Sequence, residues 1–201
     1  MSLAESRFIH DVVKPYVALN TALCRQTLVQ PEEGDAISSA RALCVALAHF
    51  PEAAEAYLPG MRSTVESKLA GTEWALLRDI ANTAKHGVRR DPTTQVDLAQ
   101  ALAYEFDAAP QFKFLRVVVL ARDHDVLAVA HAAIKQMGLA YGFQLLPIDP
   151  PLESHEPFQD KCIVPYEGAS SVVSSTRLMF FRRVGSDLVR ADPPRVEFVV
   201  I

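Results

Sequence analysis

Three polar side chains with helical spacing could do chemistry together. Arg78, Asn82 and His86 follow one another at intervals of four residues in WALLRDIANTAKHGVRR, residues 74–90. Residues four apart share a face of an α-helix, because each advances only about 40° around the axis. A histidine exchanges a proton near neutral pH, an amide orients a substrate, and a guanidinium pairs with a phosphate. Cleavage of a phosphodiester by its own 2′-hydroxyl needs these groups and no metal.

The same stretch has two other interpretations. Lys and His are common in the last turn of a helix, because they meet the carbonyl end of its dipole. Alternatively, Lys85, Arg89 and Arg90 form a local basic cluster in an acidic part of the chain, and such a cluster predicts contacts with the phosphates of RNA or DNA.

Several other helices are predicted around this one. Apolar residues recur at intervals of three and four through residues 4–29 and again after Asp35, and Thr72 is placed to cap the helix that begins near Trp74. Pro15 predicts either a kink in the first helix or a helix that starts later than the apolar stripe implies. We therefore expect an antiparallel helical bundle over residues 1–107, with Trp74, Leu77, Ile80, Ala81 and Ala84 on the buried face of its last strong helix.

The second part of the chain, residues 108–201, predicts strands and one helix. KFLRVVVLA, residues 113–121, is rich in β-branched residues and predicts a strand, and a helix is expected after RDHD. PIDPPLESHEP predicts a surface loop. RLMFFRRV and RVEFVVI predict a hairpin across GSDLVRADPP, and residues 94–107 predict a short helix through Leu98, Leu102 and Phe106. The expected class is α+β, with a small antiparallel sheet from the C-terminal half packed on the bundle as one structural unit.

Composition narrows the classes of function. The net charge of −4 lies in residues 1–107, where 10 Lys and Arg face 14 Asp and Glu, while residues 108–201 carry 10 of each. The chain as a whole is therefore not attracted to nucleic acid. No apolar run is long enough to span a membrane, no secretory signal is seen, and three separated cysteines suit a reducing compartment, so we expect a cytoplasmic protein.

No metal or cofactor is expected. The cysteines Cys24, Cys44 and Cys162 lack the close Cys or His neighbours of a zinc site, and no glycine-rich loop cradles a phosphate. RDHD, residues 122–125, could be imagined as a metal site, but a polar turn capped by Asp is the favoured interpretation.

The segment LLRDIANTAKHG resembles helical proteins of the HEPN class, in particular bacterial members with a D-x-x-N-x-x-K-H helix. The helix DAISSARALCVALAHF and the later FLRVVVLARDHDVLAVAHAAIKQM also resemble parts of those proteins, so the resemblance covers roughly residues 1–140. It implies a helical bundle, often a homodimer, in which active members are metal-independent ribonucleases of toxin or antiviral systems.

One position departs from the pattern of that class. Its motif places an Arg at a position equivalent to 79–81, where this chain has Asp79, Ile80 and Ala81. Asn82 and His86 match the rest of the motif. The resemblance implies that Arg78, or Arg89 or Arg90 of a second chain, would have to hold the phosphate.

Three functions therefore remain open. The first is a non-catalytic binding or adaptor protein, which could pair its C-terminal strand RVEFVVI with a partner protein. The second is a metal-independent endoribonuclease that uses His86, Asn82 and Arg78. The third is a protein that binds RNA or DNA phosphates through Lys85, Arg89 and Arg90 without cleaving them.

Overall fold

Helices form most of the first half of the chain, and a sheet with one further helix forms the second. The computed structural model describes residues 2–25, 33–86, 95–108, 111–164, 177–193 and 198–200. The helices are α1 (Leu3–Phe8), α2 (Lys14–Leu23), α3 (Glu33–Ala54), α4 (Met61–Leu69), α5 (Trp74–His86) and α6 (Val126–Tyr141), with a π-helical turn, Ile9–Val13, between α1 and α2. The strands are β1 (Leu98–Phe106), β2 (Phe112–Ala121), β3 (His124–Asp125), β4 (Cys162–Val164), β5 (Arg177–Val184), β6 (Asp187–Arg190) and β7 (Phe198–Val200).

The predicted apolar stripe of the first helical segment is buried. Just before Pro15, the helix widens into the π-helical turn. Pro15 has no backbone N–H to donate, and just before it the Lys14 N–H donates to the Ile9 carbonyl, five residues back. The π-helical turn therefore takes the place of the predicted kink. The buried side chains are Phe8, Val12, Tyr16, Leu19 and Leu23.

The α+β class is confirmed, but the prediction of a purely antiparallel sheet from the C-terminal half is wrong. The five-stranded sheet has the order β3-β2-β1-β5-β6, in which β1 and β5 run parallel and the other neighbours run antiparallel. A second sheet pairs β4 with β7 in parallel. β1 and β5 can run parallel because they are joined by a long crossover that contains β2, β3, α6 and β4.

The helix predicted over residues 94–107 is wrong, because residues 98–106 form the central strand β1. Leu98, Leu102 and Phe106 are four apart, and an even spacing places residues on one face of a strand as well as near one face of a helix. Both faces of β1 are covered from Gln100 onward, so no alternation of polar residues distinguished the strand.

The predicted hairpin has the wrong second strand. Gly185 has φ +64° and forms a two-residue turn with Ser186, so the chain after β5 returns at once as β6. The C-terminal strand β7 lies instead beside β4. The predicted strand over residues 113–121 and the helix after RDHD are both confirmed, as β2 and α6.

One buried core joins the helices to the sheet. Side chains from α2, α3 and α5 share a cluster with Leu102, Val117 and Val119 of the central strands. The other face of the sheet carries a smaller cluster of Ala101, Ala103, Leu115, Val118 and Leu120. Among the described residues, no helix is both long and apolar enough to cross a membrane.

Residues 144–154, here called the strap, have no regular secondary structure but are fixed to α2 and β2 by hydrogen bonds. Asn20 donates from Nδ2 to the Pro150 carbonyl (2.9 Å) and accepts from the Leu152 N–H at Oδ1 (2.8 Å). Further along, the hydroxyl of Ser154 donates to the Phe114 carbonyl (2.7 Å). Side chains thus replace the backbone ladders that an irregular segment lacks, and the strap is an ordered part of the surface.

Candidate functional site

Helix α5 presents the predicted polar residues because its opposite side is buried. The Trp74 N–H donates to Thr72 Oγ1 (3.3 Å), so the predicted cap is confirmed. Trp74, Leu77, Ile80 and Ala81 are buried as predicted, whereas Ala84 in the last turn is exposed. Arg78, Asn82 and His86 therefore share the face of α5 that the core leaves open.

A small cavity lies on this face, between α5, α3 and α4. Its volume is about 100 Å³. Small-molecule sites usually measure about 300–1,000 Å³, so this cavity suits one small polar group of a larger ligand. Its polar lining comes from three helices: His49, Glu52, Arg62, Glu66, Arg78 and Asn82.

Arg78 is the cation in the cavity that remains available to a ligand. Arg62 Nε donates to Glu66 Oε1 (3.0 Å), and this hydrogen bond raises the pKa of Arg62. His49 Nδ1 lies 3.6 Å from Glu52. No described carboxylate pairs with Arg78, whose guanidinium lies over the Trp74 ring, 4.9 Å from its centroid. The ring holds the guanidinium at the cavity while leaving its N–H groups free to donate.

The predicted site residues divide into three groups. Arg78 and Asn82 lie together in the cavity. His86 and Lys85 are exposed in the last turn of α5, and His86 does not line the cavity. Arg89 and Arg90 lie outside the described residues.

His49 is the residue that sequence reasoning missed. It lies in α3, which continues to Ala54, and its ring lines the cavity opposite α5. The available signal was Glu52, three residues later, since a histidine and a carboxylate at that spacing share a helix face.

Other residues of the α5 motif hold the fold together. Asp79 accepts from Arg122 Nη1 (3.2 Å), which ties α5 to the turn between β2 and β3. Thr83 Oγ1 accepts the Val96 N–H (3.1 Å) and fixes the approach to β1. Asp79 therefore has a structural role, which is to hold α5 against the turn between β2 and β3.

The turn RDHD is a polar turn capped by Asp, as predicted. Asp125 Oδ1 accepts the Leu127 N–H (3.0 Å) at the start of α6, and its other oxygen pairs with Arg116. Within the described part of the chain, no three His, Cys, Asp or Glu side chains are grouped so that they could hold a metal ion.

A wider cavity, of about 1090 Å³, lies between the end of α2 and the strap. It holds Glu153, which pairs with Arg183 Nη2 (2.7 Å), and Glu156, whose pKa is raised by burial. No described basic side chain pairs with Glu156, and an unpaired carboxyl group disfavours a phosphate here. The two carboxylates of the α5 cavity are paired, Glu52 with His49 and Glu66 with Arg62.

Comparisons with known proteins found no match to this chain. No protein-family model matches the chain, and neither a curated protein nor a solved structure matches it.

Proposed function

We propose that the protein is a HEPN-like binding protein without catalytic activity, which holds a phosphate group of single-stranded RNA in the cavity between α3, α4 and α5. The observation that carries the proposal is Arg78, positioned over Trp74 at the cavity with no carboxylate partner among the described residues. A guanidinium with free N–H groups binds phosphate oxygens in pairs.

The neighbouring groups suit a phosphodiester. Asn82 can donate from its amide to a phosphate oxygen. Because the cavity admits only one small group, bases and riboses would lie outside it. Lys85 and His86 follow Asn82 by three and four residues on the same helix and would meet the next part of the backbone.

Binding of a labelled single-stranded RNA, followed by fluorescence anisotropy, tests the proposal. A hydrogen-bonded charge contributes about 1.5–3 kcal/mol, so Arg78→Ala should weaken binding about tenfold or more. Arg182→Ala is the matched control, because Arg182 is also an exposed arginine over an aromatic ring, that of Phe106. An equal loss of RNA affinity in the two variants would contradict the proposed site.

A metal-independent ribonuclease is the second candidate, favoured by the His49–Glu52 pair (3.6 Å) in the same cavity as Arg78. An imidazole with a carboxylate close by is a candidate general base. RNA incubated in EDTA with wild type, His49→Ala and His86→Ala separates the two. Cleavage that either substitution abolishes would replace the binding proposal, while intact RNA bound through Arg78 supports it.

Three expectations stay predictions: a homodimer, residence in the cytoplasm, and pairing of a partner with the C-terminal strand. Strand β7 already pairs with β4, so a partner would have to use its other edge.

A further inference from the structure

The first helical segment has a second apolar stripe that the core covers only in part. Ile9, Val13 and Val17 follow at intervals of four, each one residue after a buried position of the first stripe. Ile9 and Val13 are half-buried and Val17 is 48 % exposed. A helix that is apolar on two sides needs a second surface to cover it.

A groove of about 380 Å³ runs along this stripe, with the strap as its other wall. Leu146 stands at the rim and is 85 % exposed, the largest exposure of any described bulky apolar side chain. An exposed apolar rim beside an apolar groove is typical of a surface that contacts another protein.

The strap wall is held in place at both ends. The Gln144 N–H donates to Glu5 Oε1 (2.7 Å), and the Asp149 carbonyl accepts from the Tyr16 hydroxyl (2.8 Å). Between them the Ile148 carbonyl lies 3.0 Å from His131 Nε2. A groove whose walls are fixed before binding loses little entropy when a ligand enters.

The length and the charge of the groove define its occupant. The wall contacts run from Glu5 to Tyr16, and eleven helical residues span roughly 16 Å, or about three turns. The charged residues lining the groove are acidic, Glu5 and Asp149. The two carboxylate oxygens of Glu5 accept hydrogen bonds from the backbone N–H groups of Ser2 and Gln144. The Asp149 side chain, in contrast, forms no ion pair within the described residues.

We propose that this groove is a docking site for a basic amphipathic helix of a partner protein. Apolar side chains of that helix, one per turn, pack against Val13, Val17 and Leu146, and a lysine or arginine at its end pairs with Asp149. Helix-in-groove binding of this kind is a common mode of peptide recognition. The proposal is independent of the anion site on α5.

Two synthetic helical peptides of about three turns test it. Both carry leucine at every turn, and one has flanking lysines where the other has glutamates. The lysine peptide should bind the full chain more tightly by fluorescence anisotropy. Val17→Asp should weaken this binding about tenfold or more, and Asp149→Lys should reverse the preference between the peptides.

Val189→Asp is the matched control, because Val189 lies on β6 and is 49 % exposed, against 48 % for Val17. It should leave peptide binding unchanged. Circular dichroism checks that all variants are folded.

Four results would overturn the proposal. One is no binding of either peptide, and another is equal binding of both. A third is a self-association in sedimentation that Val17→Asp abolishes and Val189→Asp keeps, which would assign the groove to a second copy of the chain. The fourth is binding to vesicles of phosphatidylcholine and phosphatidylserine with the same pattern, which would assign it to a lipid surface.

Discussion

At the scale of single residues, Arg78 carries the proposed anion site through both its charge and its shape. The planar guanidinium lies over Trp74 (4.9 Å) and can donate two parallel hydrogen bonds. Lysine keeps the charge but loses the planar fork. Arg78→Lys should therefore recover only part of the RNA affinity that Arg78→Ala loses, as measured by anisotropy. Full recovery would mean that only the charge matters.

The three cysteines should differ in reactivity. Burial raises the pKa of Cys44 and of Cys162 to about 12, while Cys24 is partly exposed and its pKa is raised less. At pH 8 a thiol reagent should label one thiol in the folded protein, and Cys24→Ser should abolish that reaction. Labelling of folded Cys24→Ser as fast as of the denatured chain would contradict the burial of the other two.

The same shifts predict a loss of stability in alkali. An unfolded cysteine ionises at about pH 8.5. Folded Cys44 and Cys162, whose pKa is raised to about 12, stay protonated well above that pH. The unfolded state therefore releases protons first, and the free energy of unfolding falls as the pH rises above about 8.5.

How far single residues could be predicted depends on whether their neighbours are local. Arg78 and Asn82 share a face through helical spacing alone, so the sequence was enough to pair them. His49 comes from α3, and its approach to α5 depends on how the two helices pack. Spacing along one segment contains no information about that packing.

At the scale of elements, the strap depends on a small number of buried polar side chains. Asn20 is 2 % exposed and makes two hydrogen bonds to the strap backbone. Asn20→Ala would leave the Pro150 carbonyl and the Leu152 N–H without this partner. We expect the free energy of unfolding in urea to fall by about 1–3 kcal/mol.

Thr21→Ala is the neighbouring control for that experiment. Thr21 is exposed, and its one hydroxyl hydrogen bond within the described residues is to the Val17 carbonyl of its own helix. Its loss should change the free energy of unfolding by less than about 0.5 kcal/mol. Equal effects of the two substitutions would contradict a fixed strap.

Elements could be predicted where their sequence pattern is compatible with only one type of secondary structure. The strand β2 is rich in β-branched residues, and α6 has a capping Asp125 and an αL glycine, Gly142, just past its end. The strand β1 and the pairing of β5 were not predictable, because a strand buried on both faces has no alternation and because strand order depends on contacts distant in the sequence.

At the scale of the whole molecule, the sheet makes the two halves of the chain depend on each other. The two neighbours of β1 are β2 and β5, which lie after residue 107, while β1 itself lies before it. A fragment of residues 1–107 would expose both edges of a buried strand.

We therefore expect that fragment not to fold, and the full chain to unfold in one step. Fluorescence of Trp74, which lies among the helices, and circular dichroism at a strand-sensitive wavelength should give coincident urea transitions. Separate transitions, or a fragment with a cooperative transition of its own, would contradict a single folding unit.

The most direct test of the central claim, that Arg78 holds an RNA phosphate, is the salt dependence of RNA affinity. Each phosphate contact on a single strand contributes about 0.7 to the slope of log affinity against log salt. The slope of Arg78→Ala should be shallower than that of wild type by about this amount, and the slope of Arg182→Ala should equal that of wild type. Equal slopes for wild type and Arg78→Ala would show that Arg78 does not contact a phosphate.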